Sequence, residues 1–258
     1  MFIQEIIDHI EAFAPPTLQA AFDNSGVICG DTRQDVSSVL LCLDVTENVI
    51  QEALSRESNL IISHHPLIFH GLKQITPASY IERCVIAAIR HNIVIYAAHT
   101  NMDVTASGVS GRMADKLGLL HREILQPEGE GYGYGIIGEL EKPAESMDFL
   151  WQLKNTFHCQ SLRYTTPPCP TLQRVAVCGG SGAPFIRQAL AKKADVYISG
   201  DFKYHDFFLT ENRILIADIG HYESEQFTKE IFYELVIKKI PKFAVQFSES
   251  NTNPINYI

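Results

Sequence analysis

Two stretches of the chain repeat the same strand–helix–strand pattern, and this repeat limits the possible fold more than any other feature. Shifting the sequence by 136 positions, the separation of Cys42 and Cys178, places the apolar run 196–199 on 60–63 without a gap. The apolar positions of the intervening helix coincide as well. Such a βαβ unit has a right-handed crossover and parallel strands. The sequence therefore predicts an α/β protein made of two similar halves, each containing one copy of the duplicated βαβ unit.

The repeat also suggests how the chain is divided. We expect a first α/β half at 1–125, a second at 171–258 and a connecting segment at 126–170. The connecting segment begins with a glycine-rich run and ends in a cluster of prolines, which is typical of a joint between compact parts.

Composition excludes several classes of protein. The 258 residues are 46% hydrophobic and 20% charged, which is ordinary for a globular protein with a substantial core. A net charge of −9 opposes the phosphate backbone of nucleic acids, and no run of lysine and arginine offsets it, so direct nucleic-acid binding is not expected. No stretch approaches the roughly 18 apolar residues of a membrane span, and membrane association is not expected either.

The cysteines and the first residues indicate a compartment. Six cysteines are scattered without a Cys-x-x-Cys pair, and several lie inside apolar runs, as small core residues do in a reducing environment. Residues 1–10 interleave acidic with apolar side chains and have no basic leader, which predicts an amphipathic helix and not a signal peptide. We therefore expect a cytoplasmic protein.

Two adjacent histidines follow the second strand of the first βαβ unit. His64 and His65 come directly after the apolar run 59–63, where a parallel sheet opens into a ligand-binding crevice. Successive strand residues point to opposite faces, but two imidazoles can converge where the strand becomes a loop. Imidazole is the commonest metal ligand in proteins, although the pair could also be two ordinary polar loop residues.

Two more polar clusters follow equivalent strands. His99 and Asp103 come after the next strand of the first half, and His221 and Glu225 come after the matching strand of the second half. His221 and Glu225 are four residues apart at the start of a predicted helix, 223–239, so they share one face of its first turn, as a surface ion pair would too. In a doubly wound sheet all three clusters face one crevice.

The combined donors exceed what a single catalytic zinc uses, which is three protein ligands and an open position. Three histidines and two carboxylates suit two metals that share a bridging carboxylate. The candidate metal ligands are the histidine and carboxylate side chains of these three clusters. Such ligands favour zinc, manganese, iron or cobalt without choosing among them, so we expect two divalent metal ions per chain.

Four blocks resemble the signature blocks of a known family. They read Ser-His-His-Pro-Leu-Ile-Phe at 63–69, His-Thr-Asn-Met-Asp at 99–103, Gly-Asp-Phe-Lys-Tyr-His-Asp at 200–206 and Gly-His-Tyr-Glu-Ser-Glu at 220–225. The family is that of the GTP cyclohydrolase 1 type 2 homologues, also called NGG-interacting-factor-three-like proteins, and the resemblance covers essentially the whole chain. A block at 23–26 is shared as well, with Phe22 where the family often has tryptophan before the aspartate.

The resemblance implies how the ligands are shared and how the chains assemble. It implies one metal held by His64 and Asp103, a second held by His65 and His221, and a bridge formed by Glu225. It further implies two intertwined α/β halves with the metal site between them, and homohexameric toroids whose metal sites face the interior. The connecting segment is too short for the large domain that some members insert, which implies a compact member.

A bridged pair of metals about 3.5 to 4 Å apart deprotonates water and stabilises a leaving oxygen together, which points to hydrolysis of a phosphate ester or a ring amidine. We expect a dinuclear-metal-dependent hydrolase that acts on a nucleotide-like or phosphorylated, hence anionic, small molecule. The family's name suggests opening of the guanine ring of GTP, although no residue pattern reads a purine base. The alternative is a toroidal metal-binding regulatory or scaffold protein without turnover.

Several other residues near the predicted crevice have more than one interpretation. His99 and His205 are the candidate catalytic residues, and Asp201 could support a metal ligand; hydrogen bonds that hold loops would explain all three equally well. Lys203, like Lys73, could meet an anionic substrate or could simply be solvated. The glycine-rich run 179–182 could form a backbone nest for phosphate or an ordinary turn.

Overall fold

The chain forms two compact units, each built from two separate stretches of sequence. The computed structural model describes residues 1–241 and 243–258. The first unit comprises Met1–Met102 and Thr228–Pro254, and the second comprises Asp103–Phe227 and Ile255–Ile258. From the sequence, the chain is divided by its repeat and not by contacts, into 1–125, 126–170 and 171–258. That division stays a prediction.

Helices and strands alternate along much of the chain. The helices are α1 (Ile3–Phe13), α2 (Glu47–Ser55), α3 (Tyr80–Arg90), α4 (Thr100–Asp103), α5 (Val109–Lys116), α6 (Ser146–Thr156), α7 (Ile186–Ala191), α8 (His221–Glu225) and α9 (Thr228–Lys239). The strands are β1 (Gly26–Cys29), β2 (Val39–Cys42), β3 (Leu60–Ser63), β4 (Val94–Ala97), β5 (Leu120–Gly129), β6 (Tyr132–Glu145), β7 (Arg163–Tyr164), β8 (Thr171–Val177), β9 (Val196–Ser199), β10 (Leu215–Asp218) and β11 (Val245–Phe247). Short 3-10 turns cover Pro16–Leu18, Ala183–Phe185 and Tyr204–Thr210.

The sheet of the first unit has the strand order β1-β4-β3-β2-β11. Its four strands from β4 to β11 are parallel, and β1 runs antiparallel to β4 at one edge. Every residue of β2, β3 and β4 is buried, which explains their continuous apolar runs. The crossover helices α2 and α3 begin where the side chains of Thr46 and Ser79 accept backbone N–H groups, as N-cap residues do.

The sheet of the second unit has the strand order β5-β6-β8-β9-β10-β7. Its centre, β8-β9-β10, is parallel, and the flanking strands β6 and β7 are antiparallel to it. The glycine-rich run near 130 forms the turn between β5 and β6, and these two strands pair along most of their length.

The register of the two sheets confirms the predicted duplication. In the first unit Val39 pairs with Leu60, and in the second Val175 pairs with Val196. The second pair lies 136 positions after the first, which is the shift found in the sequence. Both units are therefore built on the same parallel βαβ core, and the mixed α/β fold with two similar halves is as predicted.

The single long helix predicted at 223–239 is wrong, because the chain forms two helices there. The helix α8 ends at Glu225 and α9 begins at Thr228. Between them Phe227 packs its ring edge-on to Phe157 at 5.9 Å, and the ammonium of Lys116 lies 3.7 Å from the centre of the Phe227 ring. This packing outweighs the helical periodicity of the sequence, and α8 belongs to the second unit whereas α9 belongs to the first.

The first helix, the cysteines and the apolar content of the helices can be compared with the predictions from the sequence. The helix α1 is amphipathic as expected, with its isoleucines at 3, 6, 7 and 10 buried. All six cysteines are free thiols. In the part of the chain that the structure describes, no helix has both the length and the apolar character needed to cross a bilayer.

Glu52 joins α2 to the segment that follows β11. Its carboxylate accepts hydrogen bonds from the hydroxyls of Ser248 (2.6 Å) and Ser250 (2.7 Å) and from the backbone N–H of Glu249 (2.8 Å). It also forms an ion pair with Arg56 at 2.9 Å. Burial disfavours the charged carboxylate, but the hydrogen bonds outweigh burial and lower the pKa of Glu52 to about 2.

We expect Glu52→Gln to lower the free energy of unfolding by about 1 to 3 kcal/mol at neutral pH, because buried donors lose a charged acceptor. The folded-state pKa lies below the ordinary value of 4.5, so the carboxylate's contribution is complete above pH 4.5 and is lost as pH falls through about 2. Urea denaturation of both proteins between pH 7 and pH 2 measures the effect. A difference in stability that does not shrink toward acid would contradict this assignment.

Candidate metal centre

His64 and His65 leave the end of β3 with their rings on the same side. The backbone N–H of His65 donates to the carbonyl of Leu43 (3.0 Å), and the hydroxyl of Ser63 donates to the carbonyl of His65 (2.8 Å). These bonds bend the chain directly after the strand. The two imidazole centres lie 4.9 Å apart as a result.

His99 completes a cluster of three imidazoles in the first unit. It follows β4, the strand parallel to β3, and its ring lies 5.3 Å from His64 and 5.4 Å from His65 between centres. One ring nitrogen of each histidine lies within 4.8 Å of the others. His64 is buried, whereas the other two are partly exposed. His99, predicted as a catalytic residue, is therefore as well placed to bind a metal as its two neighbours.

Each of these imidazoles is held through its Nδ1 atom. The Nδ1 of His64 donates to the carbonyl of Ala98 (2.9 Å), that of His65 lies 2.7 Å from Asp44 Oδ1, and that of His99 lies 2.7 Å from Asp23 Oδ1. An acceptor at Nδ1 keeps the proton there and leaves Nε2 with its lone pair. Metal-binding histidines are oriented in this way, commonly by a carboxylate.

Asp23 is a buried and firmly held partner. Its second carboxylate oxygen accepts hydrogen bonds from the hydroxyl of Thr100, from the backbone N–H of Thr100 (3.0 Å) and from the hydroxyl of Ser25 (3.0 Å). Burial opposes ionisation, but the hydrogen bonds from His99 and Thr100 outweigh it and lower the pKa of Asp23 well below its ordinary range. Asp23 therefore remains a carboxylate that fixes His99.

Sequence reasoning missed Asp44 altogether. This residue lies two positions beyond the end of β2, the neighbour of β3 in the sheet, and its other oxygen accepts from the hydroxyl of Thr252 (2.8 Å). Asp44 could have been found as a carboxylate that follows a strand predicted to lie parallel to β3. Asp23 was noticed only as part of a turn-like block, without its partner.

The second unit carries its own group of donors, formed by Asp103, His221 and Glu225. Asp103 is the last residue of α4, and one of its carboxylate oxygens lies within 4.8 Å of a carboxylate oxygen of Glu225. Glu225 is only 2% exposed, and its Oε2 lies 3.0 Å from His221 Nε2. The Nδ1 of His221 lies 2.8 Å from Oδ2 of Asp201, which also accepts from the hydroxyl of Ser181 (2.6 Å).

His221 thus lies between two carboxylates. Burial disfavours its protonation, but the hydrogen bonds and charges of Asp201 and Glu225 outweigh burial and raise the pKa of His221 to about 11. The two acids attract positive charge to this position, which is the electrostatic condition for binding a cation.

The glycine-rich loop at 179–182 supports this group, and its glycines do not supply the N–H donors of a phosphate nest. The N–H groups of Gly179, Gly180 and Gly182 donate to the hydroxyls of Ser110 (3.3 Å), Ser224 (2.9 Å) and Ser199 (3.0 Å), so these three donors are already used. Gly180 leaves room for the side chain of Glu225. A Cβ atom there would lie 2.2 Å from Glu225 Oε1, and its φ of +63° is itself unfavourable for other residues.

The remaining predicted residues lie on exposed surface. His205 is in the 3-10 turn Tyr204–Thr210, where its ring lies 5.3 Å from Tyr204 and 6.2 Å from Phe208 between centres. Lys203 precedes this turn, and Lys73 lies in the loop after β3. A catalytic role for His205 stays a prediction.

Comparison with known proteins identifies the family. The sequence profile of Duf34/NIF3 (NGG1p interacting factor 3) matches residues 1–254. The chain belongs to this family. Its relatives include a GTP cyclohydrolase 1 type 2 homolog of Clostridium perfringens, 34% identical over 230 residues and covering 87% of each chain. A protein of the same name from Streptococcus pneumoniae is 33% identical over a 266-residue alignment that covers both chains completely.

Solved structures of related sequence share the fold. A hypothetical protein of Staphylococcus aureus has a TM-score of 0.92 at 27% identity, over 100% of this chain and 99% of that one. Reduced HcgD from Methanocaldococcus jannaschii has a TM-score of 0.82 at 26% identity, over 97% and 98% of the two chains. The family resemblance seen in the sequence is thus confirmed, and the predicted α/β fold with it.

We expect Asp44→Asn to weaken zinc binding about 10- to 100-fold, because the variant loses the charge that orients His65 and increases its basicity. Titration of the metal-free protein with zinc against a competing chelator measures the change. Asp31→Asn is the matched control, since Asp31 is an exposed carboxylate paired with Arg33. Equal affinities for both variants would show that Asp44 does not support a metal ligand.

We expect Gly180→Ala to displace the carboxylate of Glu225 and to reduce the metal content of the protein. Gly118→Ala is the control, because Gly118 has the same φ of +63° but nothing within 4 Å of an added Cβ. Backbone strain should lower the melting temperature of both variants, whereas only Gly180→Ala should lose metal, as measured by elemental analysis. Similar metal content in the two variants would contradict the spatial role of Gly180.

Proposed function

We propose that the chain is a dinuclear-metal-dependent hydrolase that acts on a nucleotide-like or phosphorylated small molecule. The observation that carries this proposal is the anchoring of the four histidines. His64, His65, His99 and His221 each have Nδ1 engaged by a carbonyl or carboxylate, which directs Nε2 toward a ligand. Imidazole nitrogens and carboxylate oxygens are the donors that divalent zinc, manganese, iron or cobalt accept.

The ligand assignment is part of the same proposal. One ion would be held by His64 and Asp103 and the other by His65 and His221, with Glu225 bridging the two. Two imidazoles of the first unit, and one imidazole and two carboxylates of the second, supply the five donors of this assignment. A single structural zinc is satisfied by four ligands, so the surplus favours a catalytic pair.

Two divalent ions would supply Lewis acidity, which activates water and stabilises the charge that develops on a leaving oxygen. The chain's own residues would orient the reactants. Asp44, Asp23 and Asp201 would keep the imidazoles fixed, so that little reorganisation is needed during the reaction. For His99 and His205 we propose proton transfer, and the anchored Nδ1 of His99 leaves its Nε2 for this purpose.

A cavity in the second unit is large enough for a small-molecule substrate. It has a volume of about 810 Å³, within the range of small-molecule sites, and its lining includes Asp201, the partner of His221. Two cations, Arg187 and Lys203, and two carboxylates, Asp201 and Asp206, line it, so their charges balance. We propose that Arg187 and Lys203 contact the phosphate group of the substrate in this cavity.

The alternative is a metal-binding regulatory or scaffold protein without turnover. It is favoured by the family description, which names an interacting factor. We also propose a homohexamer in the cytoplasm, as the resemblance and the free cysteines suggested, without direct binding to nucleic acid.

Replacing Glu225 with Gln separates the two functions. The protein purified without added metal should contain about two ions per chain and should hydrolyse members of a panel of nucleotides and phosphate esters. We expect Glu225→Gln to lose metal and at least about 100-fold in kcat/KM, because a neutral amide bridges two cations poorly. The exposed Glu130→Gln, also in the second unit, should behave as the wild type.

Equal turnover by Glu225→Gln and wild type would rule out the bridged mechanism. Absence of turnover by any form, combined with a change in oligomeric state on loss of metal, would support the regulatory alternative instead.

A further inference from the structure

Phe22 and Phe69 form an exposed aromatic pair beside the histidine cluster of the first unit. Their side chains are 68% and 37% exposed, and their ring centres lie 6.2 Å apart at an angle of 49°. The ring of Phe69 also lies edge-on to the imidazole of His99, at 6.1 Å between centres. Two large exposed rings beside polar groups that converge on one point are typical of a ligand-binding surface.

The loops that carry the two rings are tied together. The side-chain amide of Asn24 donates to the carbonyl of Ile68 (2.6 Å), so the loop of Phe22 is joined to the loop of Phe69. Phe22 also directly precedes Asp23, whose side chain is fully shielded from solvent and holds His99. The backbone that carries the two rings is therefore held near His99 by Asp23 and by the Asn24–Ile68 hydrogen bond.

We propose that Phe22 and Phe69 bind the planar heteroaromatic ring of the substrate, such as a nucleobase, next to the histidine cluster. This inference rests on the proposed function, because it takes the cluster as the site of the chemistry. Two rings inclined at 49° offer one face for stacking and a second ring for contact with the substrate's edge.

Recognition by stacking has a distinct specificity. Every nucleobase has a π-face, so an aromatic pair favours a base over its absence without choosing strongly among bases. We therefore expect a preference for nucleotides over sugar phosphates and only modest discrimination between guanine and other bases. Such a site needs no hydrogen-bonding side chain to read the base.

The test compares GMP with ribose 5-phosphate, two ligands that differ only in the base. Calorimetric titration of the zinc-loaded protein should show tighter binding of GMP. Phe22→Ala and Phe69→Ala should each weaken GMP binding about 5- to 100-fold and leave ribose 5-phosphate unchanged. Phe22→Trp should keep the affinity for GMP, because indole stacks at least as well as phenyl.

Phe247→Ala is the matched control. Phe247 is 40% exposed in the same unit and stacks on Tyr233 with 5.2 Å between ring centres, away from the histidines in the sheet order. This variant should bind both ligands as the wild type does. Elemental analysis should find the wild-type zinc content in every variant, which shows that the cluster is intact.

Three results would overturn the inference. They are wild-type protein that binds GMP no better than ribose 5-phosphate, alanine variants that lose both ligands equally, and alanine variants that change oligomeric state while binding GMP normally. The last result would show that the aromatic pair is a contact between copies of the chain.

The hydrolase proposal can fail separately from this inference. If zinc-loaded protein prefers GMP through the aromatic pair but hydrolyses no substrate, the catalytic proposal is wrong and the aromatic binding site still stands.

Discussion

The geometry of the candidate metal centre depends on hydrogen bonds that hold one ring nitrogen of each imidazole and thereby direct the other. The geometry of the parallel sheet provides this. The N–H of His65 continues the ladder from β3 to the chain leaving β2, which places its ring beside Asp44, and the N–H of Ala98 donates to the carbonyl of Ser63 (3.1 Å), which places the carbonyl of Ala98 beside His64. Strand pairing thus sets the orientation of the rings, because the bonds that end the strands also position their acceptors.

The two copies of the βαβ unit carry their carboxylate and imidazole side chains at different strand ends. The sheet register makes position 180 the equivalent of 44 and position 201 the equivalent of 65. In the first copy the carboxylate follows β2 and the imidazole follows β3. In the second copy Asp201 follows β9, the imidazole of His221 follows β10, and Gly180 makes room for Glu225. One backbone arrangement therefore carries two different donor sets.

The parallel cores and the positions of most donor residues could be predicted from the sequence. The pairing of Asp44 with His65 and the break between α8 and α9 could not. The apolar runs and the gap-free repeat gave the parallel cores, and the positions of His64, His99 and His221 after strands indicated where donors gather. The pairing of Asp44 with His65 depends on which strands are neighbours in the sheet, and a single sequence does not state strand order. The break between α8 and α9 depends on the packing of Phe227, which helical periodicity does not reveal.

The strand β11 has a consequence for biosynthesis. It pairs with β2 at the edge of the first sheet, although about 200 residues separate the two strands in the chain. While the ribosome is still producing the second unit, β2 presents an unpaired edge of four buried residues, a surface prone to joining other nascent chains. Synthesis of β11 closes that edge, so polypeptides that stop before β11 should depend on chaperones far more than those that contain it.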